Sequence, residues 1–151
     1  MEMEMEQIKG VDSTDRQTVA ELKSGASLVV KERLMTHGNQ NAVSGYQVNL
    51  NGDGATADVV SRSVARDDSR QTFNARITGN APCSGHTECD SIIMDNGRIL
   101  AIPSLEANNI DAMLVHEAAI GKIAGEQLIK LMTLGLTEQQ AEEQIISGFL
   151  R

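Results

Sequence analysis

Between residues 27 and 103 the chain alternates short apolar segments, rich in β-branched residues, with clusters of turn-forming residues. Period-two alternation is clear at Tyr46, Val48 and Leu50, as expected for strands that bury one face. Turn signals such as HGNQN, NGDG, RDDS and TGNAP separate the segments. The pattern predicts strands over 27–36, 45–50, 55–65, 70–78, 87–94 and 98–103.

Short strands at regular spacing fit three architectures: a sandwich, a barrel or a β-solenoid. Only 2% of the residues are aromatic, so the core must consist of aliphatic and small side chains. This composition, rich in Asn and Gly, favours a solenoid with a narrow interior, although no crisp sequence repeat is evident. The segment 17–25 is compatible with one helical turn or with an irregular strand.

The C-terminal part has a different period. Residues 125–135 carry apolar side chains at helical spacing and end in Gly135, a typical residue just after a helix. Thr137 and Gln140 form a capping-box signature at the start of a second helix, 137–151. We therefore predict a mainly β protein followed by two short α-helices. The predicted division is a polar N-terminal segment 1–26, a β core 27–118 and a helical region 119–151.

Composition and charge exclude several classes of partner. The formal net charge of −8 argues against a nucleic-acid surface, which needs clustered Lys and Arg. No window reaches the apolar length of a membrane span, and the acidic start MEMEMEQIKG lacks the features of a signal peptide. Two cysteines, Cys83 and Cys89, are too few for a secreted disulfide framework. We expect a cytoplasmic protein with no nucleic-acid or membrane partner.

Candidate chemistry begins with the stretch DAMLVHEAAIGKI (111–123). His116 and Glu117 are adjacent at the end of an apolar run, and in a strand their side chains would point to opposite faces. The pair therefore needs a partner from elsewhere in the fold. The Gly-rich NGDGA (51–55) is not followed by the Lys-Ser/Thr of a phosphate-binding loop, so we expect no bound nucleotide.

Cys89 lies in HTECDSIIMD (86–95), where alternation places it with Ser91 on one face of a strand and Glu88 on the other. Three interpretations of Cys89, His116 and Glu117 stay open from the residues alone. The first is a thiol hydrolase, for which no oxyanion hole is marked. The second is a metal site, and the third is a structural module with a buried, inert thiol. Cys83 follows Pro82 in a loop-like stretch, where we expect a surface or half-buried thiol.

Three longer stretches, taken in order, carry a resemblance. ECDSIIM (88–94), LVHEAAIGKIAGEQL (114–128) and LGLTEQQAEEQIISGFL (134–150) resemble the C-terminal part of the SufB/SufD family, the scaffold subunits of SUF iron–sulfur cluster assembly. The resemblance implies a right-handed parallel β-helix followed by a small helical region. It also implies pairing with itself or a SufB/SufD-type paralogue, a homodimer in the first case. A SufC-type ATPase would dock on residues 125–151.

The resemblance assigns roles to the candidate residues. Cys89 matches the cysteine implicated in accepting sulfur and ligating the cluster, while His116 and Glu117 match a motif near the pairing interface. It implies a scaffold rather than an enzyme, with a transient iron–sulfur cluster held by these three residues. Cys83 matches no family motif, so it should be dispensable. The alternative is a β-helix adaptor that only dimerises and binds the ATPase.

Two departures from the family pattern matter. The family's large N-terminal portion is not matched, so the chain is expected to be a short family form or an excised domain. Glu88 stands where a Gln usually precedes the motif cysteine, which changes the charge beside Cys89. SufD-type members usually lack that cysteine, so the combination of Cys89 with His116 and Glu117 is SufB-like.

Overall fold

The computed structural model describes the backbone of residues 2–4 and all atoms of residues 13–151. The described residues form nine strands and two helices: β1 (Glu2–Glu4), β2 (Ser13–Leu22), β3 (Ser27–Thr36), β4 (Asn41–Leu50), β5 (Ala55–Ala65), β6 (Arg70–Gly79), β7 (Cys83–Ile93), β8 (Arg98–Ala107), β9 (Ala112–Gly121), α1 (Gly125–Thr133) and α2 (Glu138–Phe149). Most of the acidic start, for which we predicted no signal peptide, lies outside the described residues.

The strands form two parallel sheets, ordered β1-β3-β5-β7-β9 and β2-β4-β6-β8. Consecutive strands thus alternate between the sheets, and each strand pairs with the next but one. This is a β-solenoid of about four turns, with two strands in each turn. The solenoid prediction is confirmed, while the sandwich and the barrel are excluded because all pairs are parallel and link successive turns.

The repeat lies in spacing rather than in residue identity. Ser13 pairs with Asn41, Asn41 with Arg70, and Arg70 with Arg98, so one turn takes 28 or 29 residues. Most inward positions hold apolar or small side chains, and many residues satisfy that requirement. A repeat of this kind leaves no crisp signature in the sequence.

The interior is filled by alternate residues of each strand, as the period-two pattern predicts. In β4, Tyr46, Val48 and Leu50 face inward and are buried, and the Tyr46 ring packs 5.9 Å from the ring of Phe73. Aliphatic and small residues make up most of the rest: Leu22, Leu28, Val30, Val59, Ala75 and Ile77. The narrow, aromatic-poor core expected from composition is therefore observed.

The turns stack along the solenoid as regularly as the strands. Gly38, Asp67 and Asp95 occupy equivalent positions with φ of 58°, 55° and 54°, a left-handed conformation that Gly adopts freely and Asp tolerates. The Gly38 amide donates to Asp67 Oδ2 at 2.7 Å, and the Asp67 amide donates to Asp95 Oδ2 at 3.2 Å. Each turn therefore stabilises the turn before it.

Several predicted boundaries differ from the structure. The segment 17–25 lies mainly in β2, so the strand alternative is confirmed and the helical turn is wrong. Cys83 begins β7 and is buried, contrary to the loop we predicted after Pro82, because it pairs with Ala55 of the preceding turn. The strand containing His116 continues to Gly121, so the pair with Glu117 lies in mid-strand. Its small residues have no apolar pattern, and pairing with β7 holds them extended.

The two C-terminal helices form as predicted. Gly135 follows α1 with a φ of 96°, and Thr137 caps α2 through a complete capping box with Gln140. Helix α2 packs on the solenoid through Ile146, which contacts a small cluster with Val64 and Met94. Helix α1 buries no residue. Among the described residues, neither helix has the length and apolar run that a membrane crossing requires. The proposed three-part division of the chain stays a prediction.

Candidate functional site

Cys89 lies inside the solenoid. It occupies an inward position of β7, between Ser61 of β5 and Ala118 of β9, and only 1% of it is exposed. Burial raises the pKa of the Cys89 thiol; a hydrogen bond with Ser91 opposes this in part, and the nearby charges of Glu32 and Asp90 add smaller increases. The thiol is therefore protonated at neutral pH, and it becomes a nucleophile only when its surroundings change.

His116 faces the same interior as Cys89. Strand pairing places it beside Thr87, and its Nδ1 lies 2.5 Å from Thr87 Oγ1. Thr87 is two residues before Cys89 on the same face of β7, so Cys89 and His116 are diagonal neighbours on adjacent strands. Such strands lie about 4.8 Å apart, and side chains two residues apart share a face. The fold brings these two predicted site residues into one region.

Glu117 points away from that region. It follows His116 in β9, and adjacent residues of a strand face opposite sides, as predicted for this pair. Its carboxylate Oε2 lies 3.6 Å from Nε2 of His86 on the outer face of the sheet. The predicted trio is therefore divided within one chain, with Cys89 and His116 inside and Glu117 outside.

The outer face holds a cluster that sequence reasoning missed. His86, Glu88 and Glu117 each offer one nitrogen or oxygen atom that could bind a metal ion, and these three atoms lie within 4.8 Å of one another. His86 Nδ1 is 2.8 Å from Asp58 Oδ1, and this hydrogen bond raises the pKa of His86. A hydrogen bond with Asp90 is the main reason why the pKa of Glu88 is raised. Alternation alone would place His86, Glu88 and Asp90 on one face, but Glu117 joins them only through the register of β7 with β9.

A buried carboxylate lies deeper in the interior. Glu32 of β3 is 4% exposed and accepts hydrogen bonds from the hydroxyls of Ser44, Tyr46 and Ser61. Register places Glu32 beside Ser61, and Ser61 beside Cys89, so a polar column crosses the solenoid interior. Burial raises the pKa of Tyr46, and the neighbouring Glu32 carboxylate adds to the shift.

The last turn of the solenoid is open. Among the described residues, β8 and β9 are the final strands of their sheets, so each has one edge without a strand beside it. Large apolar side chains are exposed there: Leu100, Ile102, Leu105, Met113, Val115 and Ile120. An apolar patch with unpaired strand edges is a typical surface for association.

A family model described as "SUF system FeS cluster assembly, SufBD core domain" matches residues 7–149. The chain belongs to the SufBD family. The predicted family is thereby confirmed, and the β-solenoid with its C-terminal helices is the fold of this SufBD core domain.

Several curated SufBD relatives are similar over part of their length. A protein of Methanothermobacter thermautotrophicus named "Iron-sulfur cluster assembly SufBD family protein" is 40% identical over 108 residues, which are 70% of this chain and 26% of that protein. A SufBD family protein of Methanocaldococcus jannaschii is 39% identical over 104 residues, which are 68% of this chain and 33% of that protein. The "Iron-sulfur cluster assembly protein SufB" of Bacillus subtilis is 34% identical over 96 residues, which are 61% of this chain and 21% of that protein.

The chain thus spans between about a fifth and a third of the length of these SufBD relatives. Membership of an iron–sulfur cluster assembly family follows from the match. The roles of Cys89, His116 and Glu117, the pairing and the ATPase docking stay predictions.

Proposed function

We propose that this chain is a scaffold for iron–sulfur cluster assembly, with Cys89 as sulfur acceptor and His116 as a ligand for iron. The observation that carries the proposal is the position of both side chains on one interior face, next to the open last turn of a SufBD core domain. The cluster is the cargo of such a scaffold and not a resident cofactor. Nucleotide would be bound by a partner ATPase and not by this chain.

Sulfur transfer to Cys89 requires its thiolate. The Cys89 Sγ would attack the outer sulfur of a donor persulfide, the S–S bond of the donor would break, and the donor cysteine would leave as a thiolate. Burial opposes ionisation of Cys89, so the step needs β9 to open or a second subunit to bring a positive charge. A positively charged imidazole beside Cys89 would lower the pKa of the thiol, and His116 is the imidazole on the same interior face.

Iron would be held by a mixed set of ligands. Stable clusters have four thiolate ligands. A set of one thiolate, one imidazole and a carboxylate suits cargo that must be released. Because Glu117 lies on the outer face, it serves as a secondary ligand only in an arrangement that includes a second subunit.

The open last turn supports pairing with a second copy or a SufB/SufD-type paralogue. The exposed apolar side chains and the unpaired edges of β8 and β9 belong to the same last turn of the described solenoid. A stable interface there would bury on the order of 1,200 Å² or more. Light scattering at micromolar concentration should show a dimer, and a clean monomer would exclude the homodimer.

Helix α1 and the residue that follows it support docking of a SufC-type ATPase on residues 125–151. Ile129, Met132 and Leu134 are 63%, 43% and 77% exposed, so the apolar face of this segment lacks cover within the described chain. Amphipathic helices of this kind bind in grooves of partner proteins. Deleting residues 125–151 should abolish association with the ATPase and leave the solenoid folded. The sparse cysteines fit a cytoplasmic location for this complex.

A second candidate function is an adaptor that dimerises and binds the ATPase without handling sulfur. It is favoured by the raised pKa and near-complete burial of Cys89, which are typical of an inert thiol. The two functions differ in what replacement of Cys89 does to cluster formation.

The test is anaerobic reconstitution with iron and sulfide, followed by absorption spectroscopy. Cys89→Ser and His116→Ala should lower cluster formation strongly. Cys83→Ser is the matched control, because Cys83 is a buried thiol of the same strand and should be dispensable. If Cys89→Ser stays folded and reconstitutes as well as the parent chain, the adaptor function replaces the scaffold.

A further inference from the structure

The outer face of β7 and β9 carries an imidazole close to two carboxylates. His86 and Glu88 are two residues apart on the outward side of β7, and register places Glu117 of β9 directly beside Glu88. One ligand-type atom from each of the three lies within 4.8 Å of the other two. His86 and Glu88 are half-buried and Glu117 is exposed, so the cluster is partly shielded and still reachable from solvent.

Asp58 orients the histidine in the way that metal sites require. Its Oδ1 lies 2.8 Å from His86 Nδ1, on the side of the ring away from the carboxylates. The opposite nitrogen, Nε2, is directed towards Glu117 and lies 3.6 Å from its Oε2. A metal-bound histidine almost always donates its other ring N–H to a carboxylate or carbonyl, which fixes the tautomer and the ring.

The local charge favours a bound cation. Glu88 and Glu117 are direct cross-strand neighbours, and like charges in that relation destabilise a sheet. Asp90 follows on the same face of β7 and shares a hydrogen bond with Glu88. Two basic side chains lie near this group: register pairs Arg62 with Asp90, and Arg33 lies close enough to Glu88 to interact with its charge. A divalent cation between the carboxylates would remove the repulsion that remains.

We propose that His86, Glu88 and Glu117 bind one divalent transition-metal cation on the outer face of the solenoid, with Asp58 as the residue that positions His86. One imidazole and two carboxylates suit Zn²⁺, Fe²⁺ and Mn²⁺, and three protein ligands leave coordination positions open for water or an incoming group. The site contains no thiolate and lies on the opposite side of β7 from Cys89. It shares Glu117 with the proposed scaffold site but needs neither Cys89 nor His116, so the inference does not rest on the proposed scaffold function.

Calorimetric titration with Zn²⁺ alone tests the site. The background is the chain carrying Cys83→Ser and Cys89→Ser, so that no thiol can bind the metal. We expect one saturable site per chain. His86→Ala and the isosteric Glu88→Gln should each weaken binding at least about tenfold, and Asp58→Asn should weaken it about tenfold through the orientation of His86. His37→Ala is the control, because His37 is exposed in a distant turn.

Two results would overturn the proposal. One is the lack of a saturable site in the background chain, which would make the cluster an ion-pair network only. The other is unchanged affinity in Glu88→Gln and His86→Ala variants whose circular dichroism matches that of the background chain. Because Cys89 is already replaced, a failure of this site says nothing about sulfur transfer. Conversely, a failure of cluster reconstitution leaves the zinc titration unaffected.

Discussion

Side chains at equivalent inward positions are buried in the middle turns of the solenoid and partly exposed in its last turn. Ile77 of β6 is fully buried, whereas its register partner Leu105 of β8 is 38% exposed. Thr87 of β7 is likewise fully buried, and its partner His116 of β9 is only half-buried. In a solenoid each turn is covered by its neighbours, so the turn at an end lacks half of its cover.

This difference separates the two candidate residues of the scaffold site. Cys89 belongs to a turn that β9 covers, and His116 belongs to the turn that is left open. A partner that seats on the open end would contact His116 first and would reach Cys89 only through β9. The outer cluster of His86, Glu88 and Glu117 spans the same two strands, on their opposite face.

The largest expected effect comes from truncating two inward side chains that are register partners, Ile77 in a middle turn and Leu105 in the last turn. Ile77→Ala should lower the free energy of unfolding by about 2–5 kcal/mol, because it leaves a cavity in a fully covered core. Leu105→Ala should cost less than about 1 kcal/mol, because Leu105 is already in partial contact with water and its neighbours can relax. Urea unfolding followed by circular dichroism measures both.

Equal losses of unfolding free energy in Ile77→Ala and Leu105→Ala would contradict the claim that the last turn of the isolated chain is less well covered than the middle turns. A loss for Leu105→Ala that grows with protein concentration would instead show that a second copy covers the open end. The pair of variants thus distinguishes the intrinsic stability of the last turn from the stability that association adds.

The next effect concerns pH and is confined to the middle turns. Burial raises the pKa of Tyr46 above its ordinary value of 10.0, so the folded chain holds this proton more tightly than the unfolded chain does. The contribution to stability is complete below pH 10 and is lost as the pH rises above it. Between pH 10 and the raised pKa of Tyr46, this group should lower the free energy of unfolding by about 1.4 kcal/mol per pH unit.

The chain offers a direct reporter of this transition, because Tyr46 is its only tyrosine. The near-ultraviolet absorbance of tyrosinate should therefore appear together with loss of the β signal in circular dichroism. Tyr46→Phe is the control, since it removes the titrating group, and its stability should depend less steeply on pH above 10. Tyrosinate absorbance that rises near pH 10 while the chain stays folded would contradict the buried environment of Tyr46.

Much of the fold was predictable because alternation is a local signal. The bounds of β3 and β5 match the predicted strands, and the inward positions of Tyr46, Val48 and Leu50 follow from period two. The end of β9 was missed because the small residues after Glu117 have no apolar pattern, and pairing with β7 keeps them extended. Such long-range pairing is not written in any short window of the sequence.

The candidate site was predictable in part for the same reason. The opposite directions of His116 and Glu117 follow from their adjacency in one strand. The outer cluster was missed because Glu88 and Glu117 are 29 positions apart, and only the turn length of the solenoid places them side by side. Glu32 was missed as well, since an acidic residue among polar neighbours gives no sign that it will be buried with three hydroxyl partners.

The smallest expected effect concerns local opening of the last turn in the native chain. Cys89 reports this opening once Cys83 is replaced by Ser. Cys89 reacts with a thiol reagent only after β9 leaves β7, because β9 covers it on one side and β5 on the other. Edge strands open at a lower free energy than the whole fold. In the Cys83→Ser chain, the labelling rate of Cys89 without denaturant should exceed the rate that global unfolding permits by at least about tenfold, or about 1.4 kcal/mol. Labelling that tracks the loss of the β signal instead would mean that the last turn is as stable as the middle. Labelling that slows as protein concentration rises would show that a second copy closes the end beside Cys89.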